Sequence, residues 1–165
     1  MNIAKQQPHF NRRARTQKEI KQLIAERNNV LSQFYNLTNY TDAYLNDDIE
    51  ELKERLQDFC QVMVDYIATG HFEIYQRIEE GIERRNDLIE LSNQVYGKII
   101  DTTKTAINFN DLYELSDELD PDNLKKFPKI LSDLGENLAV RIELEDQYIN
   151  ILLNPKPQLV YSATN

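Results

Sequence analysis

The chain has 165 residues, of which 41% are hydrophobic and 28% charged, and a formal net charge of -9. That is long enough for one domain with its own core and short for two, and the hydrophobic content separates it from disordered chains. The acidic balance argues against generic nucleic-acid binding, which needs clustered Lys and Arg to neutralise phosphate; it fits a basic protein partner, or solubility alone.

Residues 1–15 are polar and irregular, with Pro8 and a cluster at Arg12, Arg13 and Arg15, and read as a flexible basic arm. No apolar run follows these arginines, so no signal peptide is expected. Nor does any stretch approach the roughly 20 apolar residues of a membrane span. The expected location is cytoplasmic. Thr16-Gln17-Lys18-Glu19 matches a capping box, in which hydroxyl and carboxylate satisfy free backbone donors at a helix start. Ile20, Leu23, Ile24, Val30, Leu31 and Phe34 then fall on one helical face, and this first helix is expected to end near Leu37. Asn39 to Asp42 read as a polar connection.

Asp47-Asp48-Ile49-Glu50 is a second box-like start, with acids where the helix dipole favours them. Ile49, Leu52, Leu56, Phe59, Cys60, Met63 and Ile67 carry a core stripe. Val62, Ala68 and Phe72 form a second apolar stripe with Asp65 in its middle. A helix apolar on two sides must be covered on two sides, by the chain or by a partner. Thr69-Gly70 marks the expected helix end. Helicity resumes at Phe72, Ile74, Tyr75, Ile78 and Ile82, so Gly70 is either a kink or a tight turn.

The charged stretch around Gly81 reads as a short connection. Leu88, Leu91, Val95, Ile99 and Ile107 mark another helix, extending toward Tyr113 and Leu115, with Thr102, Thr103 and Thr105 weakening it. Asp117 to Asp122 is the clearest connection, with Asp120 placed to cap and Pro121 suited to the first helical position. Pro128 implies that the last helix starts twice, or begins near Phe127. Its stripe is Phe127, Ile130, Leu131, Leu134, Leu138, Ile142, Ile149 and Leu152, and Gly135 admits a close neighbour. Pro155 and Pro157 end it, and residues 154–165 read as a flexible tail. Residues 16–153 thus form a single helical domain. The expected fold is all-α, an antiparallel four-helix bundle core with additional helical segments.

Chemistry is sparse. A di-metal bundle needs Glu-x-x-His pairs, and the two histidines, His9 and His71, sit in no such motif. There is no phosphate-cradling loop, nucleophile elbow or Cys-His pairing, so neither a catalytic constellation nor a cofactor is expected. Cys60, the lone cysteine, lies on the core stripe and reads as a small buried hydrophobe. Two carboxylates stand out. Glu145 falls on the last helix's core stripe, and Arg141, four residues before it, is the expected intrahelical partner. Asp65 has Gln61, Val62, Ala68 and Thr69 as helical neighbours and no cation among them. Buried without one it would cost several kcal/mol, so an Arg or Lys is expected from another helix or from a partner.

DFCQVMVDYIATGHFEIY (Asp58–Tyr75) closely resembles the signature of the Rsd/AlgQ family of bacterial sigma regulators. LSDLGENLAVRIELEDQYI (Leu131–Ile149) is similar to that family's final-helix pattern, FYNL (Phe34–Leu37) to the end of its first helix, and Phe109-Asn110-Asp111 with Tyr113 to the AlgQ branch. The resemblance covers most of residues 16–153. It implies a four-helix-bundle anti-sigma factor that binds the C-terminal, promoter-recognising domain of the primary sigma factor, without direct DNA binding. It places the partner-binding surface at Asp65, Ala68 and Phe72, with Asp65 accepting a basic side chain of sigma, and Asp58, Val62 and Thr69 around them. Ala68 stands where the family often has serine, Leu23 where it often has tryptophan, and Gln22 where it has arginine. The competing readings are an adaptor for a metabolic or stress-signalling protein, a metal-binding bundle related to hemerythrin, and a homodimer that buries the second stripe.

Overall fold

The computed structural model describes residues 8–44, 49–114 and 120–154. Within them the chain is all-helical, with four long helices: α1 (Pro8–Tyr44), α2 (Ile49–Gly70), α4 (Asn86–Tyr113) and α5 (Pro121–Leu153). A five-residue π-helical turn, His71–Tyr75, and a short α3 (Gln76–Glu79) continue directly from α2. No described helix is long and apolar enough to cross a membrane.

α1 begins eight residues before the expected capping box and runs past the expected end at Leu37. Residues 8–15, expected to belong to a flexible arm, are therefore its first two turns, and 39–42 its last; residues 1–7 and the 155–165 part of the tail lie outside the described residues. The box has no free backbone donors to satisfy, because Thr16 to Glu19 lie inside the helix. Glu19 pairs with Arg15 one turn earlier at 2.7 Å and with Arg77 at 3.2 Å. Between Pro8 and Tyr44 no Gly or Pro interrupts the pattern.

Side-chain contacts tie each long helix to its neighbours at more than one level along its length. α1 meets α2 through the Phe34–Phe59 rings, 6.2 Å apart, and meets α3 beyond the π-turn at Glu19–Arg77. α2 meets α4 through Phe59 and Phe109, edge to face at 5.7 Å, while beyond the π-turn Glu79 accepts the Ser92 hydroxyl at 3.0 Å. α4 meets α5 through Tyr113 and Phe127 at 5.3 Å, and through Arg85, which donates to the Ile151 carbonyl at 2.9 Å. α5 closes on α1 at Arg27–Asp146, 2.6 Å, and where the Phe34 ring fills the space beside Gly135.

The core stripes follow the expected periodicity with particular departures. Leu52, Leu56, Phe59, Cys60, Met63 and Ile67 are buried, but Ile49 and Leu31 are exposed. On α4, Ile107 is 48% exposed, and Ala106, Phe109 and Tyr113 carry the stripe onward instead. Asp120 caps α5 as expected, accepting the Asp122 backbone N–H at 2.9 Å with Pro121 behind it. The helix starts once. Pro128 stays within it on an exposed face, at the loss of one backbone donor. After α3, Gly81 takes a left-handed conformation (φ 71°) that only glycine adopts without strain, turning the chain toward α4.

Gly70 is the last residue of α2, as expected, but the chain does not turn there. Its φ and ψ, -58° and -45°, are ordinary helical values, and the helix carries on as the π-turn, in which the Gln76 N–H bonds to the His71 carbonyl. What the position requires is space. A Cβ there would lie 3.2 Å from Tyr75 Cε2 and 3.3 Å from Arg141 Nη2. Glycine reads as a stop in sequence because of its conformational freedom; here it is used for its missing side chain.

Candidate partner-binding surface

Asp58, Val62, Asp65 and Thr69 recur on α2 at spacings of three and four residues with Ala68 beside them, and Phe72 follows three residues later in the π-turn. Asp58 and Asp65 are exposed, while Val62, Ala68 and Thr69 are half-buried. Phe72 is 59% exposed, and its ring meets the His71 ring edge to face at 4.9 Å. Solvent reaches the Asp65 carboxylate, which accepts a hydrogen bond from Gln61 Nε2 at 3.0 Å. The reason is position on the helix. Met63, Tyr66 and Ile67 turn toward the core, which leaves Asp65 facing out. No ion pair of Asp65 forms among the described residues, so its charge is not met within them.

Behind this surface is a buried polar centre built from all four long helices and the π-turn. Glu145, wholly buried on α5, accepts the Tyr66 hydroxyl on Oε1 at 2.8 Å and the Tyr75 hydroxyl on Oε2 at 3.0 Å. Arg27 of α1 reaches Oε1 at 3.5 Å and holds the exposed Asp146 more tightly at 2.6 Å. Arg141, also buried, donates through Nη1 to Thr102 Oγ1 at 3.1 Å and Thr103 Oγ1 at 2.9 Å. Its guanidinium lies 5.6 Å from the Tyr66 ring centre and 5.7 Å from that of Tyr75, within cation–π range. The expected Arg141–Glu145 intrahelical pair does not form; each group finds its partners on other helices.

The π-turn makes the double tyrosine contact possible. Tyr66 and Tyr75 are nine positions apart and on an unbroken α-helix would project to opposite sides, about 180° from one another. The extra residue of a π-turn brings this to about 80°, and both hydroxyls converge on one carboxylate. Burial, outweighing the nearby Arg141, the two tyrosine hydroxyls and Arg27, holds the Glu145 carboxyl above its usual range. Burial and then the Glu145 charge raise both tyrosine hydroxyls, so they remain donors at any physiological pH.

Tyr66, Tyr75, Arg27, Thr102 and Thr103 are absent from the site expected from sequence. A sign of them was present: Tyr66 follows Met63 by three residues on the core stripe, and Glu145 follows Leu138 by seven. A carboxylate on a core stripe needs buried donors, and tyrosines on core stripes supply them.

The chain belongs to the Rsd/AlgQ family: the family described as "Regulator of RNA polymerase sigma(70) subunit, Rsd/AlgQ" matches residues 3–153. Over 129 residues, 78% of this chain and 79% of the relative, it is 34% identical to the Regulator of sigma D of Shigella boydii serotype 4. It is 39% identical to the Regulator of sigma D of Yersinia enterocolitica over 98 residues, 59% of this chain and 58% of that one. A third relative, the Regulator of sigma D of Salmonella newport, is 33% identical over 129 residues, 78% of this chain and 77% of its own. No solved structure matches the chain at a significant level.

Proposed function

We propose that this protein is an anti-sigma factor. Folded as an antiparallel four-helix bundle, it binds the C-terminal, promoter-recognising domain of the primary sigma factor in the cytoplasm and limits that domain's association with core RNA polymerase and promoter DNA. It acts by binding and carries out no catalysis. The observation that carries the reading is the pairing of an exposed carboxylate, Asp65, with the 59% exposed ring of Phe72 in the π-turn that follows. Such a surface suits a partner that brings a cation and an apolar recess together. A promoter-binding domain is basic where it meets phosphate, and a chain of net charge -9 is steered toward it. The names of the relatives, regulators of sigma D, support the same class of partner.

Asp65 is the residue that receives the Arg or Lys of sigma, with Val62, Ala68 and Phe72 forming the apolar contact and Asp58 and Thr69 its border. Titration of the full chain with the isolated sigma C-terminal domain tests the proposal; Asp65→Ala and Phe72→Ala are each expected to bind more weakly than the parent chain.

A further inference from the structure

Asp65 and Phe72 lie on different sides of a change in helical register. Asp65 belongs to the α-helical ladder of α2, and Phe72 to the π-turn. In an uninterrupted α-helix, residues seven apart point within about 20° of one another. A π-turn adds a residue, and the helix beyond the added residue is rotated by about 100°. The direction in which Phe72 is presented beside Asp65 therefore depends on where in residues 71–75 the extra residue is accommodated. That in turn depends on what holds the far end of the turn.

Tyr75 holds it. It is the last residue of the turn and is buried, with its ring against Tyr148 at 5.1 Å and its hydroxyl on Glu145 Oε2 at 3.0 Å. The other oxygen of the same carboxylate receives Tyr66 from before the turn. Ala68, Thr69 and Phe72 lie between these two ties, and Gly70 leaves the room in which Tyr75, Arg141 and Glu145 crowd together. We infer that Tyr75 and Glu145 are positioning residues for the partner surface: the phenol–carboxylate bond fixes the π-turn, and through it the offset between Asp65 and Phe72 that the partner reads. This rests on the reading of Asp58–Phe72 as the binding surface.

Tyr75→Phe and Tyr66→Phe, compared in the full chain, test the inference. Both remove one hydroxyl from the same carboxylate and keep the ring, so a merely structural role lowers both melting temperatures and treats binding alike. Tyr66 lies in a regular α-helical ladder that fixes its register without the hydroxyl, whereas Tyr75 lies where that ladder is interrupted. Below the melting temperatures, Tyr75→Phe is expected to weaken binding of the sigma C-terminal domain about tenfold, the worth of one hydrogen bond. Tyr66→Phe is expected to bind as the parent chain does, and the effect of Tyr75→Phe is expected to vanish in a Phe72→Ala background. Amide exchange at Gln76, whose N–H closes the π-turn, supplies a second readout: faster in Tyr75→Phe and unchanged in Tyr66→Phe. Equal effects of the two variants on binding or on exchange overturn the inference. If Asp65→Ala and Phe72→Ala bind weakly while Tyr75→Phe binds normally, positioning fails and the surface stands. If Asp65→Ala and Phe72→Ala bind normally, the surface reading fails and takes the positioning with it.

Discussion

Arg141 and Glu145 stand one turn apart on α5, both buried, and make no hydrogen bond or ion pair with each other. Arg141 turns to the threonines of α4 and Glu145 to the tyrosines of α2 and the π-turn, so the two charges fasten α5 to different neighbours. They still balance one another through space, since the Arg141 charge is the largest influence favouring ionised Glu145. Truncating one member of a buried charge set leaves the other uncompensated. Arg141→Met is therefore expected to lower unfolding free energy by about 3–5 kcal/mol, read by urea denaturation at neutral pH. A loss below about 1 kcal/mol would contradict the arrangement.

Glu145 also gives the fold a pH dependence of definite sign. Its carboxyl is raised above 4.5 chiefly by burial. A carboxyl raised in the folded state takes up its proton there at a pH where the unfolded chain has not yet done so. Its contribution to stability is thus fully present below about 4.5 and is lost as pH rises through the raised folded value. Glu145→Gln cannot titrate. The stability of the parent chain minus that of this variant should fall across that window with rising pH, and a difference independent of pH would refute the assignment.

Gly135 is expected to resist a substitution that helix propensity favours. Alanine gains about 1 kcal/mol over glycine in a helix interior. Here, however, an added Cβ would sit 2.6 Å from Phe34 Cζ, on a ring that also packs against Phe59. Displacing that half-buried ring from its packing against Phe59 costs about 1–3 kcal/mol, so steric conflict outweighs propensity. Gly135→Ala should melt lower than the parent chain; a variant that melts higher would show that the ring yields freely.

Cys60 is fully buried, and its thiol is pushed up to about 12 by that burial and by the charge of Glu114. The thiolate is the reactive form, and it is scarce at neutral pH in the folded chain. A thiol reagent should accordingly label Cys60 at the rate at which the protein opens, and rapidly in urea. Fast labelling of the folded protein would contradict its place in the core.

The helices and most of their buried faces are readable from sequence because apolar residues recur every three or four positions, as at Leu52, Leu56, Phe59, Cys60 and Met63. Helix starts are less so. The Thr16–Glu19 box is locally sufficient, but it lies inside α1, and its Glu19 meets Arg77, 58 residues away. The polar centre is hidden for the same reason: Tyr66 and Glu145 are 79 residues apart, and local spacing offers Glu145 a nearer, incorrect partner in Arg141. The π-turn leaves no periodic trace of its own, because one surplus residue among five is indistinguishable from a kink at Gly70. Asp65 stands out in sequence as an acid without a local cation. In the structure its carboxylate faces solvent, and no cation pairs with it among the described residues.

The most direct test of the account is the affinity of the full chain for the isolated C-terminal domain of the primary sigma factor, measured by titration with and without Asp65→Ala. The parent chain is expected to bind it saturably. The variant is expected to lose about 2–5 kcal/mol of binding free energy, the range for truncating one partner of a charge pair that becomes buried at an interface. The variant should melt as the parent does, because Asp65 is exposed and its carboxylate, among the described residues, accepts a hydrogen bond only from the exposed Gln61. Equal affinities of parent and variant, or no binding by either, would contradict it.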